Sequence, residues 1–246
     1  MQYDNDAKLM KYKVLQSVAK YSFEGTLEEH INEIPYEIIP GPVPTYRCCI
    51  YREREIIRER ISSARGELLP GQPERGIVGV LPAACEGCPI SRFTVTDNCQ
   101  RCLAKKCQAA CPFGAISITG KGAYIDPSKC KECGRCAAAC PYNAISDTMR
   151  PCMRACPVGA ISKDDYNRAQ IDYGKCISCA ACVVGCPFGA ITDRSNIVAV
   201  IEALRKKENI VATFAPAIEG QFGDANVGML KAAIKKLGFT DVVEVA

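Results

Sequence analysis

The chain has 246 residues, 48% of them hydrophobic, with eighteen cysteines, a single histidine and a formal charge of +4. That length allows one or two compact domains, and no apolar run approaches membrane-spanning length, so a membrane protein is excluded from the reading. The lone His30 sits among Glu28, Glu29 and Glu33 and reads as an exposed helical residue, which leaves no nucleophile-base pair to argue for.

Residues 1–84 form a first region. It opens Met1-Gln2-Tyr3-Asp4-Asn5-Asp6, with neither a basic nor an apolar leader pattern, which points to a reducing, anaerobic cytoplasm and away from a disulfide scaffold. Pro35, Pro40, Gly41, Pro42 and Pro44 mark an extended link, and Pro70, Gly71, Pro73 and Gly76 mark another. Between them, Ile50, Ile56, Ile57 and Ile61 fall at helical spacing among Arg and Glu, predicting an amphipathic helix over Arg47–Ala64 with a solvated charged face.

Residues 85–194 carry the chemistry. Four times the chain writes Cys-Pro, one variable residue, Gly or Asn, then Ala-Ile, starting at Cys111, Cys140, Cys156 and Cys186. Upstream of two copies, Cys130, Cys133, Cys136, Cys140, Pro141 and Cys176, Cys179, Cys182, Cys186, Pro187 have the C-x2-C-x2-C-x3-C-P spacing of bacterial ferredoxins. Cys99, Cys102, Cys107, Cys111, Pro112 stretches one gap to four residues, and Cys152, Cys156, Pro157 keeps only the end of the motif. Short gaps let a loop wrap three thiolates around a cubane cluster, with backbone N–H groups turned towards the sulfurs.

In two-cluster ferredoxins the cysteine before Pro ligates the other cluster, so the runs work as crossed pairs. The sets expected are Cys99, Cys102, Cys107 and Cys140; Cys130, Cys133, Cys136 and Cys111; and Cys176, Cys179, Cys182 and Cys156. Cys152 and Cys186 then belong to a cluster lacking its first two ligands, and the spare C-x2-C at Cys85 and Cys88 completes a fourth set. Cys48 and Cys49 are left over and read as structural or incidental, because adjacent residues are poorly placed to grip two corners of one cube. Zinc ribbons also use paired C-x2-C but need no third close cysteine with C-P. A separate zinc or free-thiol reading of Cys85 and Cys88 stays open. Oxidised cubes with four thiolates carry about −2 each, so four of them would move the charge to about −4. The apparent basicity is therefore no sign of nucleic acid, and no nucleic-acid motif is present.

Between the runs, Ile116-Ser117-Ile118, the turn Thr119–Gly122, and Ala123-Tyr124-Ile125 predict a hairpin. Ala160-Ile161-Ser162 and Ala169–Asp172 repeat it, and both end in Ile-Asp, two residues, Lys-Cys. Gly114, Gly159 and Gly189, with Asn143 in the remaining copy, fit a position of positive φ. Phe113, Tyr142 and Phe188 are expected to shield clusters from water. The fold class expected is α+β: two tandem ferredoxin-like 4Fe-4S modules with a helical N-terminal extension and a partial β-α-β C-terminal segment.

Residues 195–246 change character. Ser195–Lys207 predicts a helix, Ile210–Ala215 a strand, Val227–Leu237 a helix closed by Gly238, and Thr240–Val245 a second strand. Gly220–Gly228 lacks the phosphate-loop pattern, so no nucleotide site is indicated. The phrases Phe214-Ala215-Pro216-Ala217-Ile218, Gln221-Phe222-Gly223, Leu237-Gly238-Phe239 and Asp241-Val242-Val243 resemble the start of the catalytic domain of FeFe-hydrogenases. With Arg47-Cys48-Cys49 and Arg150-Pro151-Cys152, the whole order resembles the monomeric group B branch. The resemblance implies proton reduction to hydrogen in a complete protein, with ferredoxin as redox partner. The T-S-C-C-P segment, the M-P-C-x2-K segment and the later C-x3-C, beyond the ferredoxin-like runs, that hold the H-cluster in that family are absent here, so no H-cluster is expected and the chain reads as a truncated relay without catalysis of its own. The alternative is a stand-alone polyferredoxin-type electron-transfer subunit of another oxidoreductase.

Overall fold

A computed structural model describes residues 5–88 and 91–245, with only the backbone of Glu86 and Gly87. Met1–Asp4, on which the leader argument rests, lie outside the described residues, as does Ala246. Contacts divide the chain into two compact units, Met1–Ala84 with Phe188–Ala246, and Cys85–Pro187. The fold is α+β.

In the first unit, helix Asp6–Glu24 starts where the Asn5 side chain accepts from the Lys8 N–H and stops at Gly25 in the left-handed region. Its stripe Met10, Val14, Val18, Tyr21 packs with Leu27, Ile34, Ile39, Ile57, Ile61 and Ala64 into one buried core. The second long helix spans Ile50–Ala64, beginning after the predicted Arg47 because the buried Glu53 carboxylate draws the preceding turn over the helix start. It accepts from the Thr45 and Arg47 N–H groups at 2.9 and 2.7 Å and from that of Tyr46. His30 differs from expectation. It is half-buried and stacks on Tyr21 with ring centroids 4.2 Å apart, its Nδ1 3.0 Å from the Thr26 carbonyl, because it closes the short helix Leu27–His30 against Asp6–Glu24.

The rest of this unit comes from the C-terminal stretch. Helix Ile197–Arg205 packs on Asp6–Glu24, with Ile197 and Val198 against the core and Arg205 donating to the Ser22 carbonyl at 3.3 Å. Strands Val211–Phe214 and Asp241–Glu244 pair in parallel around helix Val227–Lys236, a β-α-β unit whose Val211, Met229, Leu237 and Val243 stay exposed.

The second unit is a set of short pieces with little apolar mass. Ile116–Thr119 and Gly122–Ile125 form the first expected hairpin, Ile116 opposite Ile125, and Ile161–Lys163 with Ala169–Ile171 form the second, Ile161 opposite Ile171. Helix Lys106–Ala109 packs on Arg135–Ala139, and Pro151–Ala155 on Ala181–Gly185. Around the first hairpin the core is Phe93, Ile116, Ile125, Cys136 and Ile145, with Cys107, Cys111, Cys130 and Cys140 packed on it. Thiols thus make up much of the interior. Such a core is too small to hold the region on hydrophobic burial alone.

The strand ladders reveal a nested order. Phe93–Val95 pairs antiparallel with Ile145–Asp147, and Val78–Val80 pairs in the same sense with Ile191–Asp193. Flanking bonds match one for one: Thr96 N–H to Ala144 O and Leu81 N–H to Ala190 O are both 2.8 Å, and Thr148 N–H to Arg92 O and Arg194 N–H to Ile77 O are both 2.7 Å. The hairpins match too, with Asp126 N–H to Ala115 O and Asp172 N–H to Ala160 O both at 2.8 Å. By chain order, the ladder-closed module 92–148 is therefore an insert within the second unit, entering just after Cys88 and leaving just before Cys152.

Candidate metal centres

Each complete cysteine run uses the same backbone device. The second residue after the first cysteine is left-handed, at Arg101 (φ 50), Glu132 (φ 53) and Ser178 (φ 56). So is the second residue before the third cysteine, at Lys105 (φ 42), Gly134 (φ 78) and Ala180 (φ 59). These turns roll the loop around a common centre and aim N–H groups at sulfur, as where Glu132 donates to Cys130 Sγ at 3.4 Å. Five of these six are non-glycine residues, which seldom adopt this region, so their recurrence at matched positions marks a shaped site.

The Cys-Pro segments add a second set of donors. Gly114, Asn143, Gly159 and Gly189 all have positive φ, between 48° and 60°, as the sequence predicts. The turn directs the next N–H back at the cysteine: Ala115 to Cys111 Sγ and Ala144 to Cys140 Sγ at 3.4 Å, and Ala160 to Cys156 Sγ at 3.2 Å.

Helix packing brings the runs together in crossed fashion. An open cavity of about 440 Å³ is lined by Cys99, Cys102, Cys107 and Cys140, walled by Val95, Ile118 and Ile145, with Arg101, Lys105 and Lys106 on its margin. A second, of about 310 Å³, is lined by Cys111, Cys130, Cys133 and Cys136 with Phe93 and Ile116. Tyr142 lines the first and Phe113 the second, each about half exposed, so their rings cover part of the opening. Phe188 lies under the Arg47 guanidinium, 4.7 Å from its ring centre.

The remaining thiols show their neighbours through electrostatics. Burial pushes the Cys182 thiol up, and the nearby Cys176 and Cys156 sulfurs push it further, while Cys179 is exposed on the same loop. Burial drives the Cys152 thiol to about 11, with Cys186, Cys85 and Cys88 adding to it. Burial also raises Cys85, opposed by the Ala169 N–H, which donates to its Sγ at 3.1 Å, and by the charge of Arg150. Cys85, Cys88, Cys152 and Cys186 therefore stand as one group. Cys107 and Cys136 are raised by burial as well, whereas N–H donation from Ala123 and Arg101 holds Cys99 below the usual thiol range.

Buried thiols that raise one another's pKa resist ionisation unless a cationic metal core takes up their charge. Apolar walls, convergent thiols and N–H groups directed at sulfur suit a cluster of iron and sulfide. Among the described residues no three His, Cys, Asp or Glu side chains converge on a single ion. Thiols spread over the corners of a cube stand further apart than the Zn–S bonds of about 2.3 Å in a one-metal tetrahedron allow. Cys48 is exposed, and Cys49 is the extended residue before helix Ile50–Ala64, without a side-chain capping bond.

Two features of this region escape the sequence reading. Arg150, adjoining Cys152 through Pro151, is buried, and the nested ladders place Cys85 and Cys88 before an inserted module.

Known families match two stretches: residues 123–146 match the 4Fe-4S binding domain and residues 150–190 the 4Fe-4S dicluster domain. Between them these stretches contain ten of the cysteines, from Cys130 to Cys186. The chain is an iron-sulfur protein whose ferredoxin-type domains bind 4Fe-4S clusters and transfer electrons.

Proposed function

We propose that the chain is a four-cluster electron relay serving an FeFe-hydrogenase in a reducing cytoplasm. The ligand sets are Cys99, Cys102, Cys107 and Cys140; Cys111, Cys130, Cys133 and Cys136; Cys156, Cys176, Cys179 and Cys182; and Cys85, Cys88, Cys152 and Cys186. The carrying observation is the gathering of Cys152 with Cys186, Cys85 and Cys88. The dicluster stretch 150–190 holds six cysteines, two short of the eight that two cubes require, and Cys85 and Cys88 supply the difference. The nested order explains their distance in sequence: the motif is whole but interrupted by the inserted module.

A bound 4Fe-4S cluster supplies reversible one-electron chemistry. The residues around it set the terms. Backbone N–H groups of Ala115, Glu132, Ala144, Ala160 and Ala169 stabilise charge on sulfur, and Phe113 and Tyr142 limit water at the cavity mouths. Arg101, Lys105 and Lys106, beside the fully exposed Leu103, give the Cys99 cavity a basic rim with an apolar centre, suited to an acidic redox protein such as ferredoxin.

The hydrogenase assignment rests on the resemblance, in which residues 85–194 form the cluster domain and 195–246 begin a catalytic domain. The parallel β-α-β unit suits that role. No helix among the described residues is long and apolar enough to cross a membrane. A stand-alone polyferredoxin is the second reading, favoured by the compactness of Cys85–Pro187 as a unit.

Anaerobic reconstitution with iron and acid-labile sulfide analysis tests the relay. About sixteen iron atoms per chain are expected, falling to about twelve in the double variant Cys85→Ser, Cys88→Ser. About twelve in both proteins would reject the fourth cluster.

A further inference from the structure

Arg150 is 6% exposed, and its Nε and Nη1 are shielded from solvent without a hydrogen-bond acceptor. A buried guanidinium with two idle donors is costly unless an anion compensates it. Among the described residues the nearby acid is already engaged: Asp164, whose charge reaches Cys85, accepts from Arg168 Nε at 2.8 Å and from the Tyr166 and Arg168 N–H groups. Arg150 itself acts on the Cys85 sulfur and is joined through Pro151 to Cys152. The idle donors therefore belong to the surroundings of the fourth thiol set.

Building on the four-cluster reading, we infer that Arg150 is a positioning residue that compensates the negative charge of the cluster held by Cys85, Cys88, Cys152 and Cys186, and so sets its reduction potential above that of the same ligands without it. An added electron makes an anionic cluster more negative, and a fixed cation in a low-dielectric setting stabilises that state. No bond forms or breaks; the electron comes from the external low-potential donor. The cavities of the first two sets are lined by no buried guanidinium, since Arg101 and Arg135 are exposed. Relative to those two sets, the Arg150 cluster is the higher-potential acceptor.

The test is an EPR-monitored redox titration of the reconstituted full chain, with Arg150→Gln and Arg150→Lys. The relevant signal is the one lost in Cys85→Ser, Cys88→Ser. Arg150→Gln should shift its reduced-to-oxidised ratio at least tenfold towards oxidised at a given potential, about 59 mV for a one-electron couple. Arg150→Lys should shift it less, and the other signals should hold. An unmoved signal in an Arg150→Gln protein with its full iron content would overturn the inference. Should Arg150→Gln lose that cluster, electron spin echo spectra of the wild-type chain labelled with 15N-arginine decide. Arginine nitrogen coupling on that signal, lost in Arg150→Lys, supports the contact, and its absence refutes it. If the double cysteine variant kept all its iron, the ligand assignment itself would fall and this inference with it.

Discussion

Gly134 shows how tightly the cysteine loops are drawn. It lies between Cys133 and Cys136 at φ 78, and a Cβ there would meet Phe93 Cζ at 3.3 Å and Cε1 at 3.9 Å. Phe93 is 4% exposed in the core on which Cys111, Cys130 and Cys140 pack, so its ring cannot swing into solvent. Gly134→Ala places an L side chain in the left-handed region, at about 1–2 kcal/mol, before any displacement of the ring. The matched positions Lys105 and Ala180 show that the conformation itself is attainable. Gly120→Ala is the control, since its Cβ meets nothing within 4 Å and its φ is not left-handed. Cluster release to a strong chelator, followed by loss of visible absorbance, reads the opening of this loop. One to two kcal/mol corresponds to release roughly five- to thirtyfold faster in Gly134→Ala, and Gly120→Ala should match wild type. Equal release rates in the two variants would refute the loop-strain account.

Chelating all iron should disorder Cys85–Pro187 but spare much of the helicity of the first unit, whose core of Val14, Val18, Ile57 and Ile61 contains no thiol; total loss of helical ellipticity would contradict this. Replacing residues 91–149 with a short Gly/Ser linker should leave a chain that binds about eight iron atoms, because Phe93 and Asp147 pair and so bring the ends of the insert together. Iron binding near zero would reject the nested order. Lys105→Glu with Lys106→Glu should slow reduction by an acidic ferredoxin about tenfold or more at low salt, with little effect at high salt. An unchanged rate at low salt would move the docking surface elsewhere.

What could be read from the sequence was what chemistry or turn geometry writes locally. Cysteine spacing gives the runs, and Thr119–Gly122 gives the hairpin, because both are set by residues a few positions apart. The positive φ at Gly114, Asn143, Gly159 and Gly189 was legible for the same reason. Val78–Val80 and Ile191–Asp193 were not, since three-residue strands carry no periodicity and their pairing depends on the whole insert between them. Helix Asp6–Glu24 was passed over although Met10, Val14 and Val18 stand four apart, the interval that makes its buried stripe. The burial of Arg150 was not legible, because burial of a charge is decided by what surrounds it in space. His30 was misread as exposed for a related reason: its neighbours in sequence are acidic, but its neighbour in space is Tyr21.

Iron anomalous scattering from anaerobically grown crystals of the reconstituted chain tests the central claim most directly. The account predicts four separate iron centres, with Cys140 on the centre held by Cys99, Cys102 and Cys107, and with Cys85 and Cys88 sharing a centre with Cys152 and Cys186. A centre bound by Cys99, Cys102, Cys107 and Cys111 together, or Cys85 and Cys88 remote from any iron, would contradict it.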